Sequence, residues 1–299
     1  MPDKRAKVVE IRCPDIIKNK AIDDRAAYAM FEAGFDQLGD TGVGDDILRE
    51  LFPPDVKIGI KVNTLAGPLM STSAQLVYVL AKVFNNAGHD KKDVLIWDRK
   101  ERELKKCGYK LRTSGSDYHC YATDTTGVGF ARNLYNHKSI GSMVSRIQTD
   151  MTDVVVNFPV LKDHSLAGLS GCLKNYYGAI HNPNKYHENL CNPYQADLYG
   201  LDVIGGKEKL ALFDAIRVQY NGGPGYVSYW VENYNAILMS TDAIALDRVG
   251  IEIIDRLRTK NGMGRLKESG REPVGVKQAG KDGHGIAELD EIEWLVIEV

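Results

Sequence analysis

The 299-residue sequence predicts an α/β fold, a largely parallel or mixed sheet with helices on both faces. Short apolar runs alternate along the chain with amphipathic stretches of helical length. A composition of 43% hydrophobic and 26% charged residues suits a chain that buries most of its surface. No stretch reaches the ~18 consecutive apolar residues that would span a bilayer.

Taken in order, residues 7–12 (KVVEIR) read as a strand. Residues 23–38 read as a helix, with Ala27, Met30, Phe31 and Phe35 at helical spacing. Residues 56–63 (VKIGIKVN) are a strand, and residues 73–86 a helix with Leu76, Leu80 and Val83 on one face. Residues 94–98 (VLIWD) and 154–160 (VVVNFPV) are further strands. Pro159 must end the second one's ladder or place it at an edge. Residues 210–216, 236–240 and 292–299 complete the strands, the last apolar on both faces and so expected to pair within the sheet. A short helix is expected from Pro273. We expect one domain over residues 1–299, with an irregular Gly/Thr-rich elaboration at about 99–151.

Thirty-eight basic residues nearly cancel forty acidic ones, leaving a net charge of -2. That balance argues against a nucleic-acid or membrane-surface partner. Residues 1–12 are charged and carry no signal-peptide core, so the chain as it stands reads as soluble and cytoplasmic, with export open if a leader was removed. The five cysteines (Cys13, Cys107, Cys120, Cys172 and Cys191) include no C-x-x-C pair. They suit buried, reduced thiols better than a disulfide scaffold or a self-contained iron–sulfur cluster. Gly127 and Gly129 lack the third glycine of a Rossmann turn, and residues 222–225 (GGPG) read as a turn.

Residues 153–187 read DVVVNFPVLKDHSLAGLSGCLKNYYGAIHNPNKYH. This stretch has a strand ending in Pro159, then Lys162 and His164, then a helix ending K-N-x-x-G (Lys174, Asn175, Gly178), then His187. Lys61 and Asn63 in IKVN, residues 210–224 (LALFDAIRVQYNGGP) and residues 240–250 (STDAIALDRVG) follow the same collinear pattern. On these blocks the chain resembles the domain-of-unknown-function 362 family. The resemblance implies an α/β fold and little agreed chemistry. Many such relatives carry ferredoxin modules, and some a twin-arginine export signal; this sequence has neither the cysteines for such a module nor that signal.

Read as chemistry, Lys61, Lys162 and Lys174 fall near strand or helix ends, where ligands of open α/β sheets bind. Converging ammonium groups favour a phosphate or carboxylate. Asn63 and Asn175 would hold such a ligand or cap backbone groups. His164 or His187 would exchange a proton, with Lys162 in the reacting group. Together Lys61, Asn63, Lys162, His164, Lys174, Asn175 and His187 are the expected site. Tyr176 and Tyr177 read as packing residues.

His181, Cys172 and Cys191 near these histidines raise a transition-metal alternative, although Asn189, Asn192 and Pro193 oppose a continuous helix there. Asp98, Asp214, Asp242 and Asp247 could hold Mg²⁺ beside a phosphate, with an N-cap the simpler role for Asp242. No metal set is assigned, and His284, between two glycines, is a candidate for the site's border. Two functions stay open. One is an enzyme acting on a small anionic molecule; the other is a non-catalytic cofactor- or metal-binding accessory protein for a redox partner. The sequence leaves the oligomeric state open.

Overall fold

The computed structural model describes residues 6–299, so the first five residues of the charged start lie outside the described residues. Strand β1 (Ala6–Arg12) leads through a small hairpin, β2 (Ile17–Lys18) and β3 (Ala21–Ile22), into helices α1 (Asp24–Leu38) and α2 (Gly44–Leu51). Helix α1 starts where the Asp23 carboxylate accepts from the N–H groups of Arg25 and Ala26, an N-cap that satisfies two otherwise orphaned donors. Then follow β4 (Ile58–Val62), α3 (Ala74–Asn86), β5 (Val94–Asp98), α4 (Glu101–Lys106), β6 (His119–Ala122) and the hairpin β7 (Tyr135–His137) with β8 (Ile140–Ser142). The centre of the chain builds β9 (Val154–Phe158), β10 (Val160–His164), β11 (Gly168–Ser170), α5 (Cys172–Asn175) and α6 (Tyr194–Tyr199). The remainder supplies β12 (Glu208–Gln219), β13 (Val231–Ser240), α7 (Ala243–Lys260), α8 (Val274–Lys281) and β14 (Ile292–Glu298).

The main sheet runs β14-β1-β13-β12-β9-β4-β5-β6, with β10 and β11 branching from β12. The pairs β12–β9, β9–β4, β4–β5, β5–β6 and β1–β14 are parallel, while β1–β13 and β12–β13 are antiparallel. The fold is therefore α/β with a mixed, mostly parallel sheet. One apolar core joins Ile60, Val156 and Leu212 to α1 and α3. A second packs Phe213 and Leu238 against α7 on the other face. A third collects Trp97, Tyr176 and Tyr177 with the hairpin region. Among the described residues, no helix is long and apolar enough to cross a membrane.

Three details refine the sequence reading. Pro159 separates two strands: β9 pairs with the start of β12, and β10 rejoins the same long strand further on, with Val160 opposite Asp214. The missing proline N–H explains why the ladder breaks there. The stretch read as an elaboration supplies β6, the sheet's last strand; four residues with only alternate burial give too short a pattern to stand out. The final strand is at the opposite edge, paired on one side only with β1, and Val296 is half exposed. Its Trp294 indole donates to buried Glu10 at 3.0 Å, which fastens the edge to its neighbour.

Candidate functional site

The period-two alternation of strands builds the floor of the site. Ile58, Ile60 and Val62 of β4 and Val154, Val156 and Phe158 of β9 enter the helix-covered core, so Lys61 and Asn157 share the opposite face. These two residues are direct neighbours across the ladder, and Trp97 of β5 flanks Lys61 on its other side. The break at Pro159 carries the chain onto β10, which bears Lys162 and ends at His164. Lys174 and Asn175 end α5, and His187 follows the single helical turn Pro183–Tyr186. All seven expected site residues line one cleft of about 530 Å³. Five cationic side chains (Lys61, Arg99, Lys100, Lys162 and Lys174) face two carboxylates (Asp98 and Glu103), so the cleft is positive within a chain of net charge -2.

One half of the cleft is saturated. Lys61 Nζ donates to Asp98 Oδ1 at 2.7 Å, to the Val62 carbonyl at 2.7 Å and to Asn175 Oδ1 at 3.2 Å, using all three ammonium protons. Asp98 Oδ2 accepts from the Thr64 N–H at 2.8 Å and the Thr64 hydroxyl at 2.6 Å. Asn175 Nδ2 donates to Asn157 Oδ1 at 2.8 Å and to the Lys61 carbonyl at 3.2 Å. Asn157 in turn donates to Glu208 at 2.8 Å, which also accepts from Tyr176 at 2.6 Å. Burial pushes the Glu208 carboxyl up to about 7. Lys61 and Asn175 thus have their side-chain donors engaged with the protein. Gly178 lets the backbone close over this pair, since a Cβ there would lie 2.9 Å from Lys61 Nζ and 3.1 Å from Asp98 Oδ1.

The other half has cations without counter-charges. Lys162 is 1% exposed, and its Nζ donates to Asn63 Oδ1 and to the Met70 carbonyl, both at 3.1 Å. Its third proton has no partner among the described residues, and no carboxylate lies within ion-pair distance. Burial pushes this amine down to about 8, an effect that Asp98 and Asp163 only partly oppose. Lys174 Nζ lies 3.0 Å from His187 Nε2 and 3.4 Å from the centre of the Tyr177 ring. Burial pushes it down to about 7. His187 Nδ1 lies 3.0 Å from the Pro183 carbonyl, which assigns the ring proton to Nδ1 and leaves Nε2 as the acceptor for Lys174. Its ring stacks edge-on to Tyr177 at 5.3 Å.

His164 is arranged the other way. Its Nδ1 accepts from the N–H groups of Leu166 at 3.1 Å and Ala167 at 3.2 Å, so the proton sits on Nε2. Burial, with the positive neighbours Lys174, His187 and Lys162, pushes it down to about 3. It is therefore a neutral N–H donor at ordinary pH, 6.2 Å ring to ring from His187.

The remaining candidates disperse. His181 is exposed against Phe130. His187 and Cys191 share no continuous helix, because Leu190 between them has a positive φ of 56°. His284 packs on Tyr199 and Gly200 rather than bordering the cleft. Asp214 accepts from Ser73 and Ile216, Asp242 caps α7 and accepts from Ile286, and Asp247 accepts from the N–H groups of Cys172 and Leu173 at the start of α5. Each of these carboxylates is spent on backbone donors, and among the described residues no three His, Cys, Asp or Glu side chains form a metal-sized group. The five cysteines are free thiols, four of them buried and Cys107 partly so. Tyr177, read from sequence as packing, lines the cleft, and Asn157, not singled out at all, lies buried beneath it and accepts from Asn175. Asn157 is a polar residue inside an apolar strand, and that is the signal that marks it.

The family described as Domain of unknown function (DUF362) matches residues 58–252, more than half of the chain. The chain belongs to that family. The match opens at the first residue of β4, ends within α7 and contains every expected site residue. No curated protein matches the chain.

Proposed function

We propose that the cleft binds a small molecule bearing a phosphate or carboxylate, and that the Lys174–His187 pair exchanges a proton with it. The observation that carries this reading is the contrast among three lysines of one cleft: Lys61 has a carboxylate partner, while Lys162 and Lys174 have none. A buried ammonium without a counter-ion is costly, and an anion supplies the missing charge. His164 contributes a neutral Nε2–H, a donor suited to an anionic or carbonyl oxygen. Proton exchange near neutral pH then falls to Lys174 and His187, whose Nζ and Nε2 already touch.

Binding of an anion must raise the proton affinity of both lysines, so it takes up protons. Titration calorimetry with inorganic sulfate, which does not itself titrate in this range, tests the reading. Affinity should be at least roughly tenfold greater near pH 6 than near pH 9. The observed heat should depend on the ionisation enthalpy of the buffer, and the double variant Lys162→Met, Lys174→Met should lose the binding. Binding that is absent, or indifferent to pH, rejects it.

A further inference from the structure

Resting on the anion cleft proposed above, we infer that Lys174 is the amine of a carbonyl site. It condenses, as an imine, with a small aldehyde or ketone that carries a carboxylate or phosphate. An amine that forms an imine needs a free lone pair, a neighbouring group to move protons, access to the ligand and an anchor that orients the carbonyl. Lys174 meets each condition. No carboxylate within ion-pair distance holds its ammonium form, in contrast to Lys61. His187 Nε2 is 3.0 Å away with its lone pair aimed at Nζ, because Nδ1 is tied to the Pro183 carbonyl. The Tyr177 ring covers one side of Nζ at 3.4 Å. Lys174 is partly exposed and lines the cleft, whereas Lys162 is 1% exposed. Lys162 can therefore give its unpartnered proton to an anionic group but cannot readily admit a carbonyl carbon. Its place in the same cleft makes it the anchor, and the lowered proton affinity of Lys174 agrees with the nucleophilic role.

The step balances without a redox partner. The Lys174 lone pair attacks the carbonyl carbon, a C–N bond forms and the C=O π pair moves to oxygen. His187 Nε2 takes one proton from nitrogen and returns it to that oxygen, giving a carbinolamine. The second nitrogen proton follows the same route as the C–O bond breaks. Oxygen leaves as water, the nitrogen lone pair closes the C=N bond, and His187 ends as it began.

The test is reductive trapping on the full chain. Pyruvate is added near neutral pH, borohydride reduces any imine to a stable secondary amine, and peptide mapping locates the added mass. Labelling at Lys174 should exceed that at the exposed Lys92 and Lys267 by at least roughly tenfold, the factor expected if about half of the amine is uncharged and the carboxylate is held. Acetone, which has the carbonyl but no anionic group, should label Lys174 far less. Lys174→Arg should lose the adduct, while the exposed lysines keep their background labelling. Even labelling over exposed lysines, or none at Lys174, overturns the inference. If sulfate still binds with proton uptake in that case, the covalent step alone has failed; if sulfate binding is also absent, the anion cleft has failed with it.

Discussion

Lys61 and Lys162 are the same residue type, are both fully buried and line the same cleft, yet they are in opposite states. Lys61 meets a carboxylate, a carbonyl and an amide oxygen, and its partner Asp98 is held in turn by Thr64. Lys162 has two neutral oxygens and an unused proton. A charge that is paired and fully hydrogen-bonded becomes scaffold, because removing either member strands the other. A charge left half-satisfied responds to whatever enters the cleft. Burial alone does not separate the two lysines; the presence or absence of a counter-charge does.

The largest effect expected from this contrast is on folding. Asp98→Ala should destabilise the protein by about 3–5 kcal/mol in urea denaturation, because Lys61 is left buried without its ion-pair partner. Lys162→Met should be neutral or mildly stabilising in the same measurement, since it removes an uncompensated charge. Equal losses in both variants would erase the distinction.

The next effect is on pH dependence. Lys162 and Lys174 titrate at about 8 and about 7 when folded, against 10.5 when unfolded. Between those values the unfolded chain holds more protons, so stability rises with pH from about 7 for Lys174 and about 8 for Lys162 up to about 10.5, with the full penalty present below about 7. For Lys162 the span corresponds to roughly 3 kcal/mol. Glu208 and Asp247, both pushed up to about 7 by burial, act elsewhere. Their folded forms hold more protons, so their contribution falls as pH rises from about 4 to 7. Lys162→Met should flatten the alkaline limb and leave the acid one unchanged.

Gly178→Ala should cost about 1–3 kcal/mol, because the new methyl meets Lys61 and Asp98, both already fixed by hydrogen bonds. Crystals of this variant should show the Lys61–Asp98 contact lengthened. The smallest effect is expected from Asn63→Ala, which removes one of two Lys162 acceptors and should cost about 1 kcal/mol of stability by thermal or chemical melting. A loss as large as that of Asp98→Ala would place Lys162 in the scaffold after all.

Much of this was legible in the sequence. The strand and helix runs follow from apolar spacing, and the ends of α1 and α7 follow from Asp23 and Asp242, side chains that cap their own helices. The seven expected site residues line one cleft, and all but Lys162, in the middle of β10, stand at or next to the end of an element, where an α/β sheet leaves its ligand crevice. What was not legible is equally specific. Helix α5 is four residues long, and part of its N-terminal capping comes from Asp247, 75 positions away from Cys172, which no local pattern announces. The edge strand β6 carries too few residues for a period to register.

The sequence by itself determined which side chains share a face, since two-residue and 3.6-residue periods are local properties of the backbone. It placed Lys61, Lys162 and Lys174 near strand or helix ends. Only the tertiary structure decided which of them is free. Lys61 is neutralised by a carboxylate 37 positions away and an amide 114 positions away, while Lys162 and Lys174 meet neutral groups. Charge compensation and desolvation act over a few ångströms in space, and chain order carries no measure of that distance until the sheet has brought β4, β5, β10 and α5 to one cleft.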